Sequence, residues 1–454
     1  MKKPFIFIAL MLVLALALGA CATATPEPDA APPPADTGGD ADSDADADAD
    51  ADADTDEDMS VEGETVTILS ACGAEQCAVF EQNFADFEAK TGIDVVVEGS
   101  GDFEQLSVVR AEAGDPPDFY NFPQPGLMAD FHNDGFLVDM YSFLSADDVS
   151  AAFTDAWIEG GTVDGALAGI WHGVDVKSLV WYPKGDFEEM GFEIPQTWDE
   201  LIALSDALVA RGVTPWCVGI ESASATGWVA TDWIEDIMLR TTSLENYDAW
   251  TSGELPFSSP EVKAAFEKAG EIFFNPDYVL GGTTGILTTN FGDSPTGLFE
   301  PRSCYLHRQA SFIPSFFPEG TEVGVDVDYF YLPPIDPAYG KPVLGSGNLL
   351  SMGKDTAAGR MVAEFLLDPA SMEAEVKAGN ALPVIKGVPD DWYPSTTALG
   401  FANILANADS FRFDGSDLMP GAVGAGTFWT GATAWIGGQD LDEALADIDA
   451  GWPE

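Results

Sequence analysis

Val66 to Gly99 reads VTILSACGAEQCAVFEQNFADFEAKTGIDVVVEG, and the alternation of its three segments decides the fold. VTILSA is a short apolar run with the length and composition of a buried strand. AVFEQNFADFEAKTG is amphipathic and ends at Gly92, a residue that tolerates the left-handed conformation of a helix terminus. IDVVVEG is a second strand. This rhythm predicts a parallel sheet with helical crossovers, because parallel neighbours need a long connection that a helix supplies.

The nearly 400 residues from Val61 onward exceed one ordinary core and predict at least two domains. The mixed pattern resumes in GALAGIWHGVDVKSLVWYPK, continues through the helix after PQTWDEL, and returns in CVGI at Cys217–Ile220. Thr197 and Glu200 have capping-box spacing, which marks the start of that helix. From Tyr331, YLPPIDPAYGKPVLGSGNLLSM is proline-rich and extended before it turns apolar, and reads as a crossing between domains. The tail from Gly426 returns to helix, with Leu441, Leu445 and Ile448 at helical spacing.

At the other end, Lys2 and Lys3 precede an uncharged apolar run from Phe5 to Leu18 that finishes LGAC at Cys21. That is the layout of a secretion signal, and the run is too short for a spanning helix. LGAC resembles the bacterial lipobox, which implies that residues 1–20 are removed and Cys21 carries lipid. Residues 22–60 are Pro, Ala and Thr, then DSDADADADADADTDED, with almost nothing apolar larger than alanine. Such a segment builds no core and reads as a tether, roughly 35 Å long as a flexible coil. Its D-x-D-x-D spacing has the start of a calcium loop without the glycine and glutamate that complete one.

Without Cys21, four cysteines remain: Cys72, Cys77, Cys217 and Cys304. An even number in a chain bound for an oxidising compartment predicts two disulfides. Three pairings are possible. Cys72 with Cys77 would close a small loop and leave Cys217 with Cys304 as a long-range staple, and this is the pairing expected. Zinc is disfavoured, since paired C-x-x-C spacing is absent and only three histidines, His132, His172 and His307, are scattered along the chain.

The formal charge is −59, from 77 acidic against 18 basic residues. An acidic surface of this kind repels nucleic acid and anionic lipid. There is no G-x-S-x-G, Walker A or G-x-G-x-x-G sequence, so a nucleotide site has no support and no cofactor is expected.

GWVATDWIEDIMLR, Gly227 to Arg240, is the stretch most suggestive of a ligand. At 100° per residue Trp233, Ile234 and Ile237 form a core stripe, while Trp228 and Asp232 fall on the other side. A large aromatic beside a carboxylate and away from the stripe suits a sugar, which offers apolar C–H faces and a rim of hydroxyls. Trp228 would then be a platform and Asp232 a hydroxyl acceptor.

LGAC, FEAKTGIDVVV, GDPPDFYN, VDVKSLVWYPK, PQTWDEL and FWTGATAWIGGQDLDEALADI, in that order, resemble the extracellular solute-binding proteins of ABC importers, in the branch that binds sugars. DWIEDIMLR with CYLHRQASFIPSFFPEG is similar to the binding proteins for α-glucosides. The resemblance implies an α/β, two-lobed periplasmic-binding-protein-like (type II) fold with a central cleft and crossing hinge segments. The first lobe would take residues 61–171 and 343–388, the second 172–342 and 389–454. It also implies ligand contacts at Gln124 (NFPQPGLMADF), Asp175 (GVDVKSL), Trp429 (GTFWTG) and Phe312 (RQASF), with Glu75 and Asn348 in loops rimming the cleft.

On this reading the chain is a monomeric, non-enzymatic module, held to the membrane only by lipid, that delivers a carbohydrate to two permease subunits driven by a separate ATPase. A secreted glycoside hydrolase uses the same carboxylates and tryptophans, and a surface adhesin the same pocket, so these are the competing classes.

Overall fold

The computed structural model describes residues 61–379, 381–393 and 396–453. The signal segment, Cys21 and the Asp-Ala linker lie outside the described residues.

Strand β1 (Thr65–Ser70) pairs in parallel with β2 (Asp94–Gly99) and with β3 (Phe119–Phe122), as the opening stretch predicts. The connection between β1 and β2 is two helices rather than one, α1 (Ala74–Gln82) and α2 (Ala85–Thr91), the second closed by Gly92 at φ 73°. The break falls at Asn83 and Phe84. Asn83 leaves the helical pattern to bond distant chain: its Nδ2 donates to Glu375 Oε2 at 2.8 Å, and its Oδ1 accepts from the Ala374 N–H at 2.8 Å. Helix α3 (Phe103–Glu112) joins β2 to β3, and α4 (Pro125–Asn133) follows β3.

A short hairpin, β4 (Thr162–Val163) with β5 (Ala166–Leu167), leads into β6 (Ile170–Val176) and β7 (Leu179–Pro183). With β8 (His307–Arg308), β9 (Val327–Tyr331), β10 (Pro342–Met352) and β11 (Ser410–Phe413), the strands form two larger sheets. In one, the order β11-β10-β3-β1-β2 is joined by β6 on β10, which runs antiparallel to both β3 and β6 and parallel to β11. In the other, β7 lies between β8 and β9, antiparallel to each.

The chain therefore passes between sheets at Lys177–Ser178 and again over residues 332–341. The boundary expected at 171/172 falls inside β6, and the one at 342/343 at the start of β10. CVGI is not a strand. Its backbone is held by single bonds, Cys217 N–H to the Leu306 carbonyl at 2.8 Å and Ile220 N–H to the Ile286 carbonyl at 3.0 Å, so no ladder forms.

Two apolar cores follow this division. Val66, Ile68, Phe119, Leu350 and Val362 pack around the six-stranded sheet, and Val180, Trp198, Trp233, Phe330 and Leu445 around the three-stranded one. Between them, Val176, Leu179 and Val343 of the crossing strands pack with the bonded pair Cys217–Cys304. The second bridge, Cys72–Cys77, has Cα atoms 5.4 Å apart, so the structure carries the expected pairing.

The PQTWDEL helix spans Trp198–Ala210, with Thr197 Oγ1 accepting from the Glu200 N–H. Glu200 itself reaches back to the Gln196 N–H at 2.6 Å, one residue before the cap.

Candidate functional site

Residues from both sheets line one cavity of ≈ 260 Å³. On the side of the six-stranded sheet, Gln124 caps α4. Its amide nitrogen donates to Glu104 Oε1 at 3.0 Å, leaving its Oε1 without a partner among the described residues. Asn121 Nδ2 donates to Ser70 Oγ at 3.1 Å, and both residues line the cavity.

Strand alternation then turns Gly173 and Asp175 of β6 toward the cleft, with Lys177 just past its end on the same wall and Asn348 of β10 paired opposite Gly173. Asp175 accepts from Ser311 Oγ at 2.8 Å. Burial pushes its carboxyl up to about 7 against the pull of Ser311 and Lys177, and Glu375 adds to the rise.

The other wall is aromatic. Trp228 opens the helix Trp228–Thr241 and meets Phe291 edge-on at 5.1 Å and Phe312 at 6.1 Å. Trp429 opens the helix Trp429–Ile436, reached through a π-helical stretch, Ala422–Phe428, of the kind that often marks functional sites. Gly227 brings the two tryptophans onto one wall. Its φ is +120°, and a Cβ there would lie 2.4 Å from the Trp429 carbonyl oxygen, so no other residue fits.

Two expected contacts are placed elsewhere. Glu75 is exposed in the first turn of α1, and the next residue, turned by about 100°, takes the wall position as Gln76. Asp232 is 1 % exposed and lies behind the wall, with Lys177 Nζ at 2.8 Å and Arg308 at 3.2 Å. The reason is that the helix carrying it is buried on every side from Val229 to Arg240, so the face opposite its apolar stripe meets protein and not a cleft.

That interior face holds a charge network. Asp236 pairs with Arg240 and, at 2.9 Å, with Arg308, while Lys177 also pairs with Asp414. Glu235 accepts the Gly415 and Ser416 N–H groups at 2.8 and 3.2 Å, and burial together with Asp414 raises it well above the carboxylate range. Asp232, Glu235 and Asp414 converge as metal ligands would, but the Lys177 ammonium is bonded to two of the three.

His172, one of the three histidines scattered along the sequence, lines the cavity with its Nε2 2.5 Å from Glu375 Oε2. Sequence reasoning also missed Lys177, Glu375, Asp414 and Asp417, whose juxtaposition is tertiary. The one local signal was Asp236 with Arg240 at i, i+4, a pair that predicts a salt bridge on its own helix.

Similarity to known proteins agrees with this architecture. The chain is 44 % identical over 389 residues to the osmoprotective compounds-binding protein GgtB of Synechocystis sp., covering 86 % of this chain and 92 % of that protein. It is 42 % identical over 403 residues to the alpha-glucosides-binding periplasmic protein AglE of Rhizobium meliloti, covering 86 % and 88 %. Among solved structures, a chitin oligosaccharide binding protein superposes with a TM-score of 0.70 at 19 % identity, over 86 % of this chain and 98 % of that one. Maltose-bound MalE3 of T. maritima gives 0.69 at 17 % identity, over 85 % and 98 %, and both share the two-lobed fold. The profile of the bacterial extracellular solute-binding proteins matches residues 74–372, and the chain belongs to that family.

Proposed function

We propose that the cleft captures a sugar, an α-glucoside or short oligosaccharide, and that the protein hands it to the permease subunits of an ABC importer. The observation that carries this is the meeting of Trp228 and Trp429 with Gln124, Asp175 and Asn348 around one cavity. Flat aromatic faces suit C–H surfaces, and the amides and carboxylates suit the hydroxyl rim. The name of AglE, an alpha-glucosides-binding periplasmic protein, points the same way.

The lobes divide at Lys177–Ser178, over residues 332–341 and at 388/389, and close over the ligand about the first two of these crossings. Asp102 already meets Ser224 across the cleft mouth, accepting its N–H at 3.3 Å. The protein acts outside the cytoplasm as a monomer, anchored by lipid on Cys21. Among the described residues no helix is long and apolar enough to cross a membrane.

Calorimetry with maltose, sucrose and trehalose, with the products checked by chromatography, tests the reading. Binding of at least one without cleavage is expected, and a ligand at 100 times its Kd should add about 2.7 kcal/mol of stability. If none binds, or if the sugar is hydrolysed, the reading fails. Cys21→Ser should release the protein from the membrane fraction and leave affinity intact.

A further inference from the structure

Lys177 is buried, yet it lines the cleft, and its Nζ lies 5.4 Å from the centre of the Trp228 ring. An ammonium has three N–H donors. Asp232 Oδ1 accepts one at 2.8 Å and Asp414 Oδ2 accepts a second. Among the described residues no third acceptor stands within hydrogen-bonding distance.

Both partners are themselves fixed. Asp232 is held by Arg308, and Asp414 accepts Ser416 Oγ at 2.9 Å and the Asp417 N–H at 3.2 Å. The lysine cannot swing away without leaving the buried Asp414 carboxylate with no cation and Asp232 with Arg308 alone. Burial disfavours its charge, but Asp232 and Asp414, then Asp417 and Glu235, outweigh burial and hold it above the usual lysine range.

An aromatic face ringed by carboxylates has the chemistry of a receptor for a cation, such as an amino sugar or a quaternary ammonium. In this cleft the cation is supplied from within. Lys177 already stands over the Trp228 ring and neutralises the nearest carboxylates, so a second positive charge there meets its like. Resting on the sugar-binding reading above, we propose that Lys177 donates its third N–H to a hydroxyl oxygen of the ligand and, by its charge, rejects at that point a ligand that carries an ammonium group. The ligand class is thereby narrowed to polyhydroxylated compounds that bring no cationic group to that point.

Calorimetry on the wild-type protein tests this, using the tightest-binding of maltose, sucrose and trehalose, its deoxy analogues and its monoamino analogues. A deoxy analogue removes a hydroxyl without bringing a charge, so it is the reference for each position. At one position the amino analogue should bind at least tenfold more weakly than the deoxy analogue, and glycine betaine should not displace the parent sugar. Lys177→Arg keeps the charge but spreads it over a planar fork. With an unchanged unfolding midpoint, it should lose at least tenfold in affinity for the parent. The assignment is overturned if every amino analogue equals or exceeds its deoxy counterpart, if betaine competes, or if a folded Lys177→Arg protein binds normally. Should Lys177→Arg not fold, the analogue series decides alone. Failure of all three parent sugars to bind would instead sink the sugar reading, and this inference with it.

Discussion

Gly99 stands so close to Cys77 that a Cβ on it would lie 2.4 Å from the Cys77 sulfur and 2.6 Å from the Cys72 carbonyl oxygen. The bridge thus presses on the end of β2, and the next residues, Ser100 and Gly101, line the cleft. Gly99→Ala forces bridge and loop apart, at the ~1–3 kcal/mol typical of overpacking. A lower midpoint in thermal unfolding and weaker sugar binding are expected together.

The two bridges should separate stability from affinity. In the chain-entropy account, a closed loop of 5 residues is worth about 2 kcal/mol and one of 87 about 4.6 kcal/mol. Cys217→Ser with Cys304→Ser should therefore lower the denaturation midpoint more. Cys72→Ser with Cys77→Ser should show the larger loss in calorimetric affinity, since Cys72 and Gln76 are on the cleft wall.

The tryptophans differ in burial, and so should their mutants. Trp228 is only partly buried, so Trp228→Ala should cost about 2 kcal/mol or more of binding, roughly thirtyfold, with little effect on folding. Trp429 is 2 % exposed, and Trp429→Ala should weaken binding and also open a core cavity worth ~3–5 kcal/mol of stability. Asp175→Asn keeps one acceptor and should lose less affinity than either. Titration calorimetry and urea unfolding on the three variants check this ordering.

Acid should act through His307. Its Nδ1 bonds the Cys217 carbonyl at 2.9 Å, and burial, opposed by that bond and reinforced by Arg308, holds the imidazole down at about 4, against 6.5 for the free side chain. Between these values the unfolded chain binds the extra proton, so stability falls as pH drops from 6.5 to 4. Asp175 has the opposite sign. Its folded value of about 7 exceeds the unfolded 3.8, so its contribution falls as pH rises through that range. Unfolding followed against pH should show a shallower acid limb in His307→Gln. Sugar affinity should decline as pH falls through 7, where the Asp175 carboxylate is lost as a charged acceptor.

The sheet was legible because Val66–Leu69 and Val95–Val97 carry their structure in local composition. The helix break at Asn83 was not, since its partner Glu375 is 292 residues away. For the cleft, matching the family's segments led to Gln124, Asp175, Phe312, Asn348 and Trp429, and helical periodicity to Trp228, all of which line the cavity. Periodicity alone misled at Asp232, because a helical wheel separates two faces and says nothing of what packs on the second. In Glu75 the error was one residue, which on a helix is a quarter turn. Lys177 sat unnoticed in the quoted VDVKSL, because a lysine reads as solvated until the carboxylates from residues 232 and 414 are seen beside it.

The sealing of the helix Trp228–Thr241 has a further consequence for its backbone amides. Val229 to Arg240 are shielded all round, so their hydrogens should exchange with deuterium only when the whole protein opens. The added protection of those amides in the presence of ligand then equals RT ln(1 + [L]/Kd), which makes the interior of this one helix an unlabelled gauge of how tightly the cleft holds its sugar.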